Sequence, residues 1–276
     1  MPRRRRYFPV GVPVHVGQRG NNRQICFASD EDMAAYVNWL SEGAQKFGAQ
    51  IHAWVLMTNH VHLLMTPTSE NAISRCMQHL GRHYVRYFND RFRRTGTLFE
   101  GQFKGHLVFS GRYFLQCCQY IELNPVRAGM VVDPADYRWS SYAAHAFGQR
   151  VRMWTPHVEY LTLGLDGENR RKAYRSLFKE VLGEDVLSDI RLSVNTGFVY
   201  GNEKFRRQVE ALAGIPQSFN KEVARRMSAN CKFHTDPIYR GFVFMVPGAG
   251  VEPALPKGNK ILSLACLPIS PPGHRA

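Results

Sequence analysis

The chain has 276 residues, 44% of them hydrophobic, and its 36 Lys and Arg against 22 Asp and Glu give a net charge of +14. That length and apolar content allow a packed core in one or two domains and exclude a chain too polar to fold. The charge favours a polyanionic partner, because each cation set against a phosphate releases condensed counterions; a ribosome-associated or merely basic protein fits it as well.

The Val-rich stretch YFPVGVPVHVG (7–17) predicts a first strand with an irregular start. After the polar turn QRGNNRQ, Ser29 with Asp32 makes a capping-box-like start. Met33, Tyr36, Val37, Leu40 and Phe47 then mark the buried stripe of a helix ending near Gly48. Residues 50–57 and 60–66 read as strands joined at Thr58-Asn59. A helix over 71–92 carries Arg75, His79, Arg82, Arg86 and Arg93 on the face opposite its apolar residues. A strand follows at 98–109, then a helix over 111–124 that Pro125 should end.

The order β-α-β-β-α-β-α predicts an α+β fold in which helices cover an antiparallel sheet. Residues 147–156 read as a linker, 157–215 as a smaller all-α C-terminal module, and 216–276, rich in Pro and Gly, as a poorly ordered tail. The six cysteines show no CxxC spacing, which predicts reduced thiols in a cytoplasm. MPRRRRYFPV has no apolar segment behind its arginines, so no secretion signal is expected. No apolar run approaches the roughly 20 residues that span a bilayer.

Chemistry concentrates in His60-Val61-His62. Alternation along a strand sends both imidazoles to one side, where two neutral rings can bind one divalent ion. The bland alternative is a pair of half-exposed strand histidines. In QYIELNPVRAG, Tyr120 and Asn124 stand four apart on one helical face. A tyrosine beside a metal can attack phosphorus, and Asn124 can offer its carbonyl oxygen to the ion; read alone, they fit better as a core aromatic and a C-cap before Pro125. Glu122 should point away from that face. His15, His52, His83 and His106 read as packing or surface histidines, with His52 a weaker candidate for a supporting role.

HAWVLMTNHVHLLMTP (52–67), GQFKGHLV (101–108), YIELNPVRAGMV (120–131) and YRWSSY (137–142) occur in an order and spacing that resemble the IS200-like tyrosine transposases. The resemblance is strongest to the branch associated with repetitive extragenic palindromes (REP), and NTGFVYGNEKFRRQVEAL (195–212) is similar to its longer members. It implies a ferredoxin-like His-hydrophobe-His (HUH) domain over residues 1–146. It implies His60, His62 and Asn124 as ligands of Mg²⁺ or Mn²⁺, and Tyr120 as the nucleophile. Such enzymes cut single-stranded DNA next to a hairpin, forming a 5′-phosphotyrosine and a free 3′-OH.

The expected partner is therefore single-stranded or hairpin DNA, with no membrane and no small-molecule substrate. Arg3, Arg4, Arg5 and Arg6 read as an arm toward DNA. Arg75, Arg82, Arg86, Arg93 and Lys104 read as backbone contacts, with Tyr7, Phe8, Phe99, Phe103 and His106 interleaved for stacking. A monomer and a homodimer exchanging the tyrosine helix both stay open. The rival readings are a non-cutting hairpin binder, a hydrolase using metal-activated water, and a rolling-circle nuclease.

Overall fold

The computed structural model describes residues 6–214. Four strands, β1 (Val14–Arg19), β2 (Ala49–Met57), β3 (His60–Pro67) and β4 (Lys104–Leu107), form one antiparallel sheet in the order β2-β3-β1-β4. Helices α1 (Asp30–Phe47) and α2 (Ala72–Arg91) cover one face. On the other face lie α3 (Arg112–Glu122), α4 (Asn124–Arg127) and α5 (Tyr142–Phe147). They are followed by α6 (Val158–Leu161), α7 (Gly167–Leu177), α8 (Glu184–Thr196) and α9 (Glu203–Ala213). This is the α+β arrangement, an antiparallel sheet covered by helices, that the order of elements predicts.

Alternation within each strand sorts the side chains. Val14, Val16, Val61, Leu63 and Met65 enter the core under α1 and α2, whereas Ala53, Val55 and Leu64 enter the core under α3. The start of α1 follows its sequence signal, since Asp32 Oδ2 accepts from the backbone N–H of Ala28 and Ser29 at 2.8 and 3.2 Å. It ends at Gly48, which takes the left-handed conformation (φ 73°).

Two expected strands are shorter than predicted. β1 begins at Val14 because Val12 N–H turns back to the Pro9 carbonyl. β4 begins only at Lys104, because the chain bends at Gly101 (φ 68°) while Leu98, Phe99 and Phe103 stay in the core. Pro125 does not end the helical path either. It occupies the first turn of α4, where a missing N–H costs nothing.

The later segments lie along both sheet edges. Thr155 N–H donates to Ile51 O of β2 at 2.8 Å, and Ser141 N–H to Trp54 O at 2.9 Å. Phe109 and Tyr200 pair beside β4. Gln119 of α3 donates to Leu177 O at 2.6 Å, and α8 packs on α3, β1 and β4. Cys26, Cys76, Cys117 and Cys118 are buried free thiols. Among the described residues no helix is long and apolar enough to cross a membrane. The expected tail (216–276) and Arg3, Arg4 and Arg5 lie outside the described residues.

Candidate metal centre and tyrosine site

Strand alternation puts His60 and His62 on the α3 face of β3, with ring centroids 5.3 Å apart. Tyr120 projects from α3 onto the same face, its ring 5.8 Å from that of His62. Asn124 reaches the group from α4, although Leu123 breaks the helix between it and Tyr120. Its Nδ2 donates to the Tyr120 carbonyl at 3.3 Å, and its side chain also hydrogen-bonds His60. The four residues singled out in the sequence thus meet on one face. Tyr120 is only 4% exposed, so a phosphate reaches it only if neighbouring groups give way.

The electrostatics favour neutral imidazoles. Burial pushes His60 down to about 3, with the nearby Arg19 and Arg127 cations lowering it further. His62 is also held well below the ordinary range, by burial first and then by His15, His60 and both arginines. Neutral rings are the form that ligates metal.

The amides are oriented too. Asn59 Nδ2 donates to Arg23 O at 3.3 Å, leaving its Oδ1 at 2.6 Å from His60 Nδ1. Asn124 directs its Nδ2 at Tyr120, leaving Oδ1 for His60. One neutral imidazole, with a single proton, therefore faces two amide oxygens. Those residues fit a small cation, which His60 Nε2 and Asn124 Oδ1 would hold. Two imidazoles and an amide oxygen fit a borderline to hard divalent ion. Among the described residues no group of three or more His, Cys, Asp or Glu side chains is placed to hold one.

Four further residues border this neighbourhood, and Arg127 alone of them lies inside a quoted motif, YIELNPVRAGMV. His15 Nε2 lies 2.9 Å from His62 Nδ1. Arg127 holds its guanidinium carbon 4.5 Å from the centre of the Tyr120 ring. From α8, Val194 walls the space over Gly17 together with His62, and Arg191 lies close enough to Arg127 to lower its pKa. His15 was expected to pack or lie at the surface; it is 1% exposed and belongs to the histidine group. Strand register brings it there, and a single sequence does not state register. His52 instead bonds Thr155 O and Thr66 Oγ1. Glu122 does turn away from the site, accepting from Ser141, His145 and Tyr174.

The expected DNA contacts fall elsewhere. Exposed Arg75, Arg82 and Arg86 line α2, on the sheet face opposite Tyr120. Arg86 pairs with Asp90 at 3.7 Å, and Arg93 is exposed just beyond the helix. Arg6 Nη2 donates to Phe103 O at 2.7 Å, and its guanidinium lies 4.0 Å from the centre of that ring. Lys104 is exposed at the start of β4. A cavity of about 500 Å³ opens between α2 and the segment before β4, lined by Arg6, Gln18, Arg75, Gln78 and Phe103. Phe99 and Phe103 are largely core residues.

Residues 11–128 match the family described as transposase IS200 like. That segment, less than half of the chain, is similar to the IS200-like transposases. His60, His62, Tyr120, Asn124 and Arg127 all lie inside it, whereas α8 lies beyond. Ten chains of solved structures match the protein. One is a REP-associated tyrosine transposase bound to a REP hairpin, 19% identical, covering 57% of this chain and 93% of its own, with a TM-score of 0.47. Another is a candidate transposase from Deinococcus radiodurans R1, 23% identical, covering 44% of this chain and 96% of its own, with a TM-score of 0.31. No curated protein matches the chain.

Proposed function

We propose that the protein cuts and rejoins single-stranded DNA beside palindromic hairpins, with Tyr120 as nucleophile and a divalent ion held by His60, His62 and Asn124. The observation that carries this reading is the meeting of Tyr120 with the His60–His62 pair on one sheet face, within an IS200-like domain.

In the proposed step Tyr120 Oη forms a bond to phosphorus as the bond to the 3′-side oxygen breaks. The phenolic proton is lost and the leaving oxygen gains one, giving a 5′-phosphotyrosine and a free 3′-OH. The ion, Mg²⁺ or Mn²⁺, would neutralise charge on the phosphate oxygens. Arg127, pulled down to about 10 by burial yet still charged at neutral pH, adds a fixed cation at the phenol. Arg19, on β1 opposite His60, adds a second cation beside the histidine pair. Rejoining reverses the step when a 3′-OH attacks the phosphotyrosine.

The test is covalent capture. Labelled hairpin DNA from the flanks of the gene is incubated with protein and Mn²⁺, then resolved on a denaturing gel beside Tyr120→Phe. A protein-linked band that needs metal and disappears in Tyr120→Phe supports the reading. Cleavage that persists in Tyr120→Phe points to metal-activated water, and binding without any cleavage points to a hairpin-binding protein.

A further inference from the structure

Two imidazoles serve one ion only when each turns an unprotonated nitrogen toward it, and the partner of the far nitrogen selects that tautomer. For His60 the partner is local. Asn59 Oδ1 can only accept, so His60 Nδ1 carries the proton and Nε2 keeps its lone pair. For His62 the partner is distant in sequence, its Nδ1 meeting the ring of His15 across the sheet.

We propose that His15 is a positioning residue that holds His62 as the Nδ1–H tautomer, leaving His62 Nε2 free for the divalent ion. The inference rests on the metal-centre reading above, because that reading requires Nε2 as the ligating atom.

The register explains how the contact arises. Gly17 stands directly opposite His62 on the neighbouring strand, and His15 precedes it by two residues on the same face. The absent side chain at Gly17 leaves room for the His62 ring to lean toward His15, and a Cβ there would lie 3.6 Å from His62 Nδ1.

A packing role alone does not account for an imidazole at position 15. His15 is 1% exposed, and its Nδ1 has no hydrogen-bond partner among the described residues. An apolar side chain of similar size would avoid that burden. The polar capacity it does use goes to His62. Its ring also stands edge-on to Tyr120, with centroids 5.9 Å apart, so one side chain borders both a candidate ligand and the candidate nucleophile.

Long-range ¹H–¹⁵N correlation spectra of the metal-free, full-length wild-type protein read the tautomer directly, with the His62 pattern assigned by its loss in His62→Gln. The expected result is a proton on His62 Nδ1. A proton on Nε2 overturns the proposal. Mn²⁺ affinity, measured calorimetrically, supplies the second readout. His15→Phe should bind roughly 10- to 100-fold more weakly. His15→Gln, whose Oε1 can accept from Nδ1–H, should recover most of that loss. Unchanged affinity in His15→Phe also overturns the proposal. Wild-type protein that binds no Mn²⁺ sinks the metal reading instead, while the imidazole pattern still decides the role of His15.

Discussion

The guanidinium of Arg127 lies face-on to the ring of Tyr120 and also donates to that residue's backbone carbonyl. The chain achieves this by turning through Pro125 into α4, which brings Arg127 back over the residue seven positions earlier. In the proposed reaction a cation fixed at the phenol would stabilise charge developing on the tyrosine and on an attacked phosphate.

Arg127→Ala is therefore expected to slow phosphotyrosine formation by about 10²-fold or more, the usual effect of removing one preorganised donor. Arg127→Lys should restore only part of the rate, because an ammonium cannot both stack on the ring and reach the carbonyl with a planar fork. Single-turnover capture on hairpin DNA measures both variants. A rate within a few-fold of wild type would reduce Arg127 to a structural role.

Glu122 anchors the helix that carries Tyr120. Its carboxylate is fully buried and accepts from Ser141 Oγ at 2.5 Å, from His145 Nδ1 at 2.7 Å and from Tyr174 Oη at 2.7 Å. These partners come from the segments before and within α5 and from α7, so the network ties three parts of the chain to α3. Glu122→Ala leaves His145 and Tyr174 without this acceptor, while Ser141 keeps only its longer bond to Trp54 O at 3.3 Å, and should cost roughly 3–5 kcal/mol. Urea unfolding measures it, and a loss below about 1 kcal/mol would show that water replaces the carboxylate.

The contrast between Tyr120 and His15 shows what the sequence could convey. His60 and His62 share a face because strand alternation is local, and Tyr120 and Asn124 stay neighbours even though Leu123 interrupts the helix. Glu122 points away for the same reason of helical geometry. His15, Val194 and Arg191 reach the site only through sheet register and the docking of α8, which depend on the whole fold. The expected strand over 98–109 is cut down to Lys104–Leu107 for a related reason. Leu98, Phe99 and Phe103 are apolar as a strand would require, yet the bend at Gly101 buries them as a loop.

Buried neutral histidines make the fold acid-sensitive. Burial pushes His15 down to about 3 and His52 down to about 4, while the unfolded chain titrates near the ordinary value of 6.5. Between those limits the unfolded state binds more protons, so stability is complete above about pH 6.5 and falls as pH drops toward 4. Each such group contributes a slope of up to roughly 1.4 kcal/mol per pH unit in that window. Metal-free protein should thus melt at clearly lower temperature at pH 5 than at pH 7.5. His52→Gln, away from the proposed metal centre, should flatten the dependence. A melting temperature that does not change between these pH values contradicts the assignment.

Gly20 and Gly17 make opposite predictions on the same strand path. A Cβ on Gly20 would lie 2.1 Å from the Gln24 backbone oxygen, which cannot swing aside, although Gly20 has ordinary angles (φ −59°, ψ 142°). Its N–H donates to Asn59 O at 2.8 Å, so displacing it moves the residue that orients His60. Gly20→Ala should cost about 1–3 kcal/mol, typical of forcing extra volume into a packed site, and should weaken Mn²⁺ binding as well. At Gly17 the nearest atoms, His62 Nδ1 and Val194 Cγ1, are both 3.6 Å from the added carbon, an ordinary contact. Gly17→Ala should therefore melt within a few degrees of wild type. Urea unfolding and Mn²⁺ titration of the two variants side by side test the contrast, and equal behaviour would mean that the Gly20–Asn59 contact does not govern the orientation of His60.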